Sequence, residues 1–176
     1  MVTIGKQVLP KEWNQEKIGD LTIITTGKKD ANHATLDGPY PFYTCSSEQL
    51  KSPTYSFDTR AMILAGNGEF WFNRFEGKFE AYQRNYIIEA NSSNMFDYLY
   101  LNIDKYLNII TSKSAGSIIK YLTKGMITEL KVIIPNEKIL QKYNKIVNPL
   151  FREIDSLQKE NIQLQQMRDL LIHKLI

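Results

Sequence analysis

The chain has 176 residues, 43% of them hydrophobic, and a formal net charge of +3, which suits one hydrophobic core with a mildly basic surface. Its single cysteine, Cys45, excludes an internal disulfide, and His33 and His173 lack the neighbouring Cys or His of a zinc site. With no charged-then-apolar leader, no apolar run of about 18 residues and no P-loop or nucleophile elbow, we expect a cytoplasmic protein that itself holds no metal or cofactor.

The first 41 residues predict a short entry segment, a strand and a loop. Pro10 and Trp13 precede a predicted brief helix that ends at Gly19, and residues 21–25 are predicted to form a strand. Polar, glycine and proline residues then predict a long exposed loop over residues 26–41. Long loops inside compact domains are often functional.

The middle of the chain predicts short strands followed by a helix. Aromatic and β-branched residues favour strands at 40–45, 61–65, 69–75 and 85–89, separated by turns at 66–68 and 76–78. Apolar residues then recur at helical spacing over 96–110, with Ser93 or Asn94 placed to cap the helix. A break at 114–117, a turn at 124–125 and a last strand at 130–134 complete this part.

The last quarter of the chain has heptad spacing. Asn136 is predicted to cap a helix that reaches about Val147, with a kink or break near Pro149 before the helix resumes at about Leu150. The seam contains mostly apolar residues at gaps of three and four, and it consists of Val147, Leu150, Ile154, Leu157, Asn161, Leu164, Arg168, Leu171 and Leu175. A seam this narrow indicates a partner helix from another chain or another copy.

These patterns predict an α+β fold with two parts. The head (residues 1–135) is a globular domain of short strands and helices, and the arm (residues 136–176) is a long C-terminal coiled-coil helix. Residues 113–145 contain seven lysines against two acidic residues. That excess suits a polyanionic partner, although a solubilising surface explains it equally well.

Two fragments resemble methyltransferase motifs. Residues 63–68 resemble the glycine-rich turn that binds S-adenosylmethionine, and residues 148–151 differ by one residue from the Asn-Pro-Pro-Phe box of amino-methylating enzymes. The first lacks the βαβ alternation of that fold, and the second lies in the heptad. We therefore interpret them as a tight turn and a helix segment, and a methyltransferase fragment is the weakest alternative.

Four phrases spread over the head carry a more specific resemblance. They occur in order at residues 40–46, 65–68, 77–84 and 114–126, between an opening Pro10-x-x-Trp13 and a closing Arg168-Asp169-Leu170-Leu171. In this order they resemble the target-recognition domain and conserved helix of type I restriction-modification DNA specificity subunits, the HsdS family. Such subunits typically carry each part twice, whereas this chain carries each once, which implies a half-length subunit or a fragment.

The resemblance implies a non-catalytic subunit that reads one half of a bipartite site in double-stranded DNA. It also implies a scaffold for methyltransferase subunits that use S-adenosylmethionine and for a restriction and motor subunit. The half-length chain is then expected to pair with its own copy or with another half-subunit. The principal alternative is a coiled-coil adaptor that does not read DNA.

The candidate DNA-binding residues are chosen by their chemistry. Cationic side chains that can contact phosphates are Lys28, Lys29, Arg74, Lys78, Arg84, Lys113, Lys120 and Lys124. Side chains suited to base edges are Asn67, Asn73, Arg74, Gln83 and Arg84, with Ser46 as a weaker candidate. Any one of them can equally be a solvated or turn-capping residue. Tyr43, Tyr82 and Tyr121 are expected to belong to the core.

Overall fold

The computed structural model describes residues 2–4, 7–10, 12–68, 70–113 and 121–175, and the side chains at 2–4, 7–9, 109–113, 166, 169 and 173–175 lie outside this description. The chain divides into two compact units, Met1–Asn136 and Glu137–Ile176. The names head and arm are kept for these two units. Each is described by itself.

Short strands dominate the head. In the described part of the chain the strands are β1 (Val2–Ile4), β2 (Gln7–Leu9), β3 (Asn14–Lys17), β4 (Thr22–Thr26), β5 (Tyr40–Tyr43), β6 (Leu50–Ser52), β7 (Phe57–Ala65), β8 (Phe72–Ala81), β9 (Asn85–Ala90) and β10 (Lys131–Ile134). The helices of the head are α1 (Ile18–Leu21), α2 (Phe96–Lys113) and α3 (Lys124–Thr128), and 3₁₀ turns occur at Ala31–His33 and Ser93–Met95.

A six-stranded mixed sheet forms the centre of the head, in the order β4-β9-β7-β8-β5-β6. β7 pairs with β8 and with β9 in antiparallel registers, whereas β5 runs parallel to β8. β1 pairs with β2, and β3 pairs with β10, as two separate two-stranded sheets. The α+β class expected from the sequence is confirmed.

The helix α2 and the strands bury one hydrophobic cluster between them. Met62, Leu64 and Ile88 of the sheet belong to the same buried cluster as Leu99 and Ile103 of α2. These two residues are spaced four apart along the helix, so they share one face of it. The apolar spacing seen in the sequence therefore marks the helix face that packs on the sheet.

A second cluster lies around the buried ring of Tyr43 at the end of β5. Its ring centroid is 5.6 Å from that of Trp71, 5.7 Å from Phe75 and 5.8 Å from Phe79. The three partners follow one another at spacings of four residues along β8 and the approach to it. In a flat strand, two residues eight positions apart are roughly 26 Å from each other. Since Trp71 and Phe79 both contact Tyr43, the strand curls around this ring.

An ion pair joins the sheet to the start of α2. The carboxylate of Asp97 is buried in the first turn of the helix, where a negative charge is favoured. Arg60 of β7 donates to both carboxylate oxygens at 2.9 Å, and its guanidinium lies 4.0 Å from the ring centroid of Phe96. Arg74 of β8 approaches the same carboxylate at 3.8 Å.

Several predicted elements are confirmed by the structure. The strands at 21–25 and 130–134, the helix at 96–110 and the turn at 66–68 match β4, β10, α2 and the β7–β8 connection to within a few residues. Residues 114–117, where a helix break was expected, lie outside the described residues.

Other predicted elements are wrong, and each has a physical reason. Residues 14–17 form β3 and not a helix, because they pair with β10 more than 110 positions later in the chain. Residues 76–78 continue β8, where Glu76 faces Arg60 and Lys78 faces Asp58 across the ladder. Residues 124–125 begin α3 and do not form a turn, because the Thr123 hydroxyl caps that helix by accepting from the Met126 N–H.

The arm is one helix, Glu137–Leu175, with Pro149 inside it. The predicted break of the helix near Pro149 is therefore wrong, and the alternative of a kink there stays a prediction. A proline removes one backbone hydrogen-bond donor. The other backbone hydrogen bonds of this 39-residue helix keep it continuous. At about 1.5 Å per residue the helix is roughly 58 Å long.

Replacing Asp97 by Asn should destabilise the head by about 2–4 kcal/mol. The substitution keeps the shape but removes the negative charge that Arg60 and Arg74 share. The expected loss is somewhat below the roughly 3–5 kcal/mol typical of a fully buried pair, because the Arg60 side chain is 32% exposed. Urea unfolding of the full chain measures the change.

Glu76→Gln is the matched control for Asp97→Asn. The Glu76 side chain is 77% exposed and lies 3.6 Å from the Arg60 Nε, so its loss should cost less than about 1 kcal/mol. Equal losses in the two variants would show that the buried carboxylate is not the centre of this ion pair.

Candidate nucleic-acid interface

The connection between β8 and β9, residues 82–84, is a tight turn enclosed by two glycines. The N–H of Gly66 donates to the Arg84 carbonyl at 2.9 Å, and the N–H of Gly27 donates to the Asn85 carbonyl at 3.0 Å. A Cβ at Gly66 would lie 2.4 Å from the Arg84 carbonyl oxygen, and one at Gly27 would lie 2.1 Å from that of Tyr82. Only glycine permits this close approach. The two glycines therefore let the turn pack directly against the neighbouring backbone.

A fully buried amide fixes the same turn to β5. The side-chain Nδ2 of Asn85 donates to the carbonyls of Tyr43 and Thr44, each at 2.9 Å, and its Oδ1 accepts from the Cys45 thiol at 3.3 Å. The Asn85 amide thereby uses both donors and its acceptor inside the protein. The start of β9 and the end of β5 are held together by this one side chain.

The Cys45 thiol lies beneath the turn that connects β7 and β8. Burial raises the pKa of this thiol, and the nearby backbone N–H groups of Asn67 and Gly66 and the charge of Arg84 oppose the rise in part. The thiol is therefore a neutral packing group at physiological pH.

The segment before α3 closes the other side of this region. The N–H of Leu122 donates to the Gly66 carbonyl at 2.7 Å, and Tyr121 forms a β-bridge with Asn67. The Tyr86 hydroxyl donates to the Leu122 carbonyl at 3.0 Å. Burial raises the pKa of Tyr86, while the neighbouring backbone N–H of Lys124 lowers it, so Lys124 lies at this edge as well.

A cavity of about 490 Å³ opens between these segments. Its lining combines exposed amide, guanidinium and phenol groups, and it consists of Thr26, Gly66, Asn67, Gln83, Arg84, Tyr86, Tyr121 and Leu122. Gln83 and Arg84 are exposed, and Tyr121 is 64% exposed. Amide and guanidinium groups can form paired hydrogen bonds with base edges, and an exposed aromatic ring can stack on a base.

The structure brings together a part of the predicted DNA-binding set. Asn67, Gln83 and Arg84 line the cavity. Lys28 and Lys29 lie next to the 82–84 turn, since both backbone N–H groups donate to the Ala81 carbonyl, at 3.0 and 3.2 Å. Lys124 lies at the edge already described.

Ser46 lies close to the cavity but is engaged in a local turn. It directly follows Cys45, and its hydroxyl accepts from the Glu48 N–H at 3.2 Å. Ser46 is exposed, so it stays a weaker candidate for DNA contact.

Three predicted residues lie elsewhere on the head. The Arg74 side chain is only 9% exposed and faces Asp97, so this arrangement does not present it to DNA. Asn73 accepts from the Arg74 N–H through its own Oδ1. The Lys78 ammonium lies 4.7 Å from the ring centroid of Tyr55, and neither Asn73 nor Lys78 lines the cavity. Lys120 and the side chain of Lys113 lie outside the described residues.

Three functional candidates were not identified from the sequence. Asn85 has the chemistry of a surface amide, and nothing in its local sequence signals that it is buried. Asp30 contacts Gln83 from a distant loop. Tyr121 was expected in the core and is exposed, whereas Tyr43 is buried as expected. Tyr121 is exposed and directly precedes the buried Leu122, and this step between a polar-tipped and an aliphatic side chain is its local signal.

Two classes of feature are absent from the described residues. No helix in that part of the chain has the length and apolar character needed to cross a membrane. Among the same residues, no group of three His, Cys, Asp or Glu side chains lies in a position to hold a metal ion.

Comparison with known families decides the relationship that the motifs suggest. The family described as the type I restriction modification DNA specificity domain matches residues 10–166. The chain belongs to this family. The matched range includes all of the cavity lining and most of the arm, so the specificity-domain assignment covers both units.

Two curated relatives are similar along most of this specificity domain. The type I restriction enzyme EcoDI specificity subunit of Escherichia coli is 36% identical over 159 residues, which is 90% of this chain and 36% of the relative. The MjaIX specificity subunit of Methanocaldococcus jannaschii is 26% identical, over 96% of this chain and 44% of the relative. The chain therefore spans between about one third and one half of these subunits.

Solved structures share the fold of this specificity domain. The S subunit of a type I restriction-modification system from M. genitalium has a TM-score of 0.72 at 16% identity, covering 90% of this chain and 44% of that one. The HsdS subunit from Thermoanaerobacter tengcongensis has a TM-score of 0.58 at 12% identity, covering 89% and 41%. At these identities the likeness concerns the fold.

Replacing Asn85 by Asp should destabilise the head by about 2–4 kcal/mol. A carboxylate of the same shape cannot donate to the carbonyls of Tyr43 and Thr44, which keep the Tyr82 N–H and the Trp71 Nε1–H as donors. The loss therefore comes from the buried carboxylate oxygens, which face two acceptors, at roughly 1–3 kcal/mol for each unsatisfied buried group. Thermal and urea unfolding measure the loss, and hydrogen exchange should show faster exchange at the end of β5.

Asn91→Asp introduces the same charge at a matched exposed site. Asn91 is exposed, and its Nδ2 donates to the Asp20 carbonyl at 3.1 Å, so the expected loss is below about 1 kcal/mol. If Asn85→Asp is no more harmful than this control, the buried amide does not hold the two strands together.

Proposed function

We propose that the head reads a short sequence in double-stranded DNA and that the cavity edge is its reading surface. The observation that carries this proposal is the grouping of Asn67, Gln83 and Arg84 around one cavity of about 490 Å³. Their side chains are those suited to base edges, and the turn that carries two of them is held rigidly at both ends. Membership of the specificity-domain family supports the same conclusion.

The surrounding lysines supply the contacts that do not depend on sequence. Lys28 and Lys124 are exposed and Lys29 is half-buried, and the Lys28 ammonium lies 5.1 Å from the ring centroid of Phe57. Phosphate contacts fix the position of a protein on the duplex, while base contacts select the sequence. In this proposal the lysines provide affinity for the duplex, and Asn67 and Arg84 select the base sequence.

We propose that the chain performs no chemistry itself. Methyl transfer from S-adenosylmethionine and DNA cleavage belong, in this proposal, to separate methyltransferase and restriction subunits that assemble with it on cytoplasmic DNA. Support comes from the family and from a relative solved in a study of complex assembly of the type I restriction-modification system, with a TM-score of 0.59.

The arm is proposed to pair two copies of the chain, or this chain with another half-subunit. Its apolar seam residues Leu150, Ile154, Leu157, Leu164 and Leu171 are between 45% and 62% exposed. A helix that exposes such a seam gains stability by burying it against another helix. A second copy also explains how a chain carrying one recognition domain reads a bipartite site.

The length of the seam beyond Pro149 suggests the spacing of the two half-sites. From Leu150 to Leu175, within the longer arm helix, the seam advances roughly 38 Å at about 1.5 Å per residue, close to the roughly 34–36 Å of one DNA turn. Two arms paired in antiparallel orientation would carry heads at opposite ends, so the pair would read an inverted repeat about one turn apart.

The first test separates affinity from selection. Lys124→Ala should weaken binding to all duplexes about equally and lower the salt slope by roughly one phosphate contact. Arg84→Ala should instead relax the preference at one base pair, by about 1–3 kcal/mol. Fluorescence anisotropy with matched duplexes at several salt concentrations measures both effects.

Lys131→Ala is the control for these two variants. Lys131 is an exposed lysine on β10, outside the proposed surface, and its loss should leave affinity and preference unchanged. A chain that binds no duplex while still forming a dimer would favour the adaptor function.

The second test concerns the arm. Leu157→Asp together with Leu164→Asp should convert the dimer into a monomer at micromolar concentration, because two charges would enter the apolar seam. Sedimentation velocity measures the change. Ser156→Asp with Gln163→Asp adds the same two charges beside the seam, at exposed positions, and should leave the dimer intact. A wild-type chain that is monomeric would overturn the pairing of two copies and leave pairing with another half-subunit as the proposal.

A further inference from the structure

The amide of Gln83 has a defined orientation at the cavity edge. Its Nε2 donates to the Oδ1 of Asp30 at 3.2 Å. A carboxylate can only accept hydrogen bonds, so it must face the NH₂ group of the amide and not the carbonyl oxygen. The Oε1 of Gln83 is therefore the atom left to face away from Asp30.

Backbone hydrogen bonds fix both partners of this contact. The Gln83 N–H donates to the Lys29 carbonyl at 2.9 Å, directly before Asp30, and Lys29 forms a parallel β-bridge with Tyr82. Gly27 allows the same loop to lie against the turn, since its Cα has no space for a Cβ. The backbone therefore holds Asp30 and Gln83 next to each other.

We infer that Asp30 orients Gln83 as a hydrogen-bond acceptor that reads an exocyclic amino group in the major groove. The ligand is adenine through its N6 amino group or cytosine through its N4 amino group, the two bases that present a donor there. Thymine and guanine present only acceptors at the corresponding edge, and the Oε1 of Gln83, itself an acceptor, cannot form a hydrogen bond with them. This inference rests on the proposed function and specifies one contact of it.

Arg84 gives the position of this contact along the DNA. It follows Gln83 in the same turn and lines the same cavity, and a guanidinium pairs best with the O6 and N7 acceptors of guanine. Consecutive side chains of one turn reach neighbouring bases. The amino-bearing base read by Gln83 therefore lies within about two base pairs of the position that Arg84 reads.

The orientation is tested by changing the polarity of the pair while keeping its shape. Asp30→Asn offers both a donor and an acceptor, so the Gln83 amide can turn over and present its NH₂ group. Gln83→Glu keeps an acceptor but places two carboxylates side by side. The double variant Asp30→Asn with Gln83→Glu restores a donor facing an acceptor, with the remaining Glu oxygen directed outward.

The readout is the base preference of the full-length chain at each position of a randomised duplex library, measured by sequencing the bound fraction. The wild type should prefer adenine or cytosine over thymine and guanine at one position by roughly 5- to 150-fold. Asp30→Asn and Gln83→Ala should each reduce that preference to within about threefold of parity. The double variant should restore it.

A second readout uses the chemistry of the base itself. If adenine is preferred, replacing it by purine, which lacks the N6 amino group, should weaken wild-type binding and leave Gln83→Ala unaffected. If cytosine is preferred, a pyrimidinone that lacks the N4 amino group takes its place. Because Asp30 and Gln83 are both exposed, the variants should keep the fold. Thermal unfolding of each variant checks this.

The possible failures are distinguishable. A chain that binds duplex DNA with a preference unchanged by Asp30→Asn, or with a double variant that stays relaxed, would overturn the orientation of Gln83 and leave DNA recognition standing. A preference for thymine or guanine at the Gln83 position would also overturn it. A chain with no affinity for any duplex would overturn both this inference and the proposed function.

Discussion

The buried amide of Asn85 is the interaction on which the geometry of the candidate interface depends. It holds the end of β5 against the start of β9 through two bonds of 2.9 Å, and its own backbone carbonyl accepts from Gly27. A buried amide that is fully hydrogen-bonded specifies one arrangement, because every alternative leaves polar groups without partners. The 82–84 turn immediately precedes this residue, and backbone hydrogen bonds from Gly66 to Arg84 and from Gln83 to Lys29 hold the turn against the neighbouring loops as well.

The fold could be predicted where local sequence decides the structure. The apolar spacing over 96–110 and the β-branched residues of β4 and β9 identify their elements, because each depends on neighbours a few residues away. The strand at Asn14–Lys17 depends on a partner more than 110 residues distant, and its short polar sequence has no strand signal. Similarly, Gly77 resembles a turn residue, although the charged pairs on either side of it continue the β7–β8 ladder.

The candidate site could be predicted in its chemistry but not in its arrangement. Residue type alone selects Gln83 and Arg84 as side chains suited to base edges. The same criterion selects Arg74, which the structure places against a buried carboxylate, because sequence does not show which face of β8 meets α2. Residue type does not identify Asn85 and Asp30, because their roles depend on partners that are distant in the sequence and meet them only in the fold.

The two close approaches at Gly27 and Gly66 separate the frame of the turn from the side chains that it displays. Any larger residue at either glycine would collide with backbone, whereas Gln83 and Arg84 are exposed, and exchanges at exposed positions usually alter stability by less than about 0.5 kcal/mol. The displayed residues can therefore change while the backbone beneath them stays the same. Under the proposed function, a new recognition sequence would need changes at only one or two displayed residues, with little loss of folding free energy.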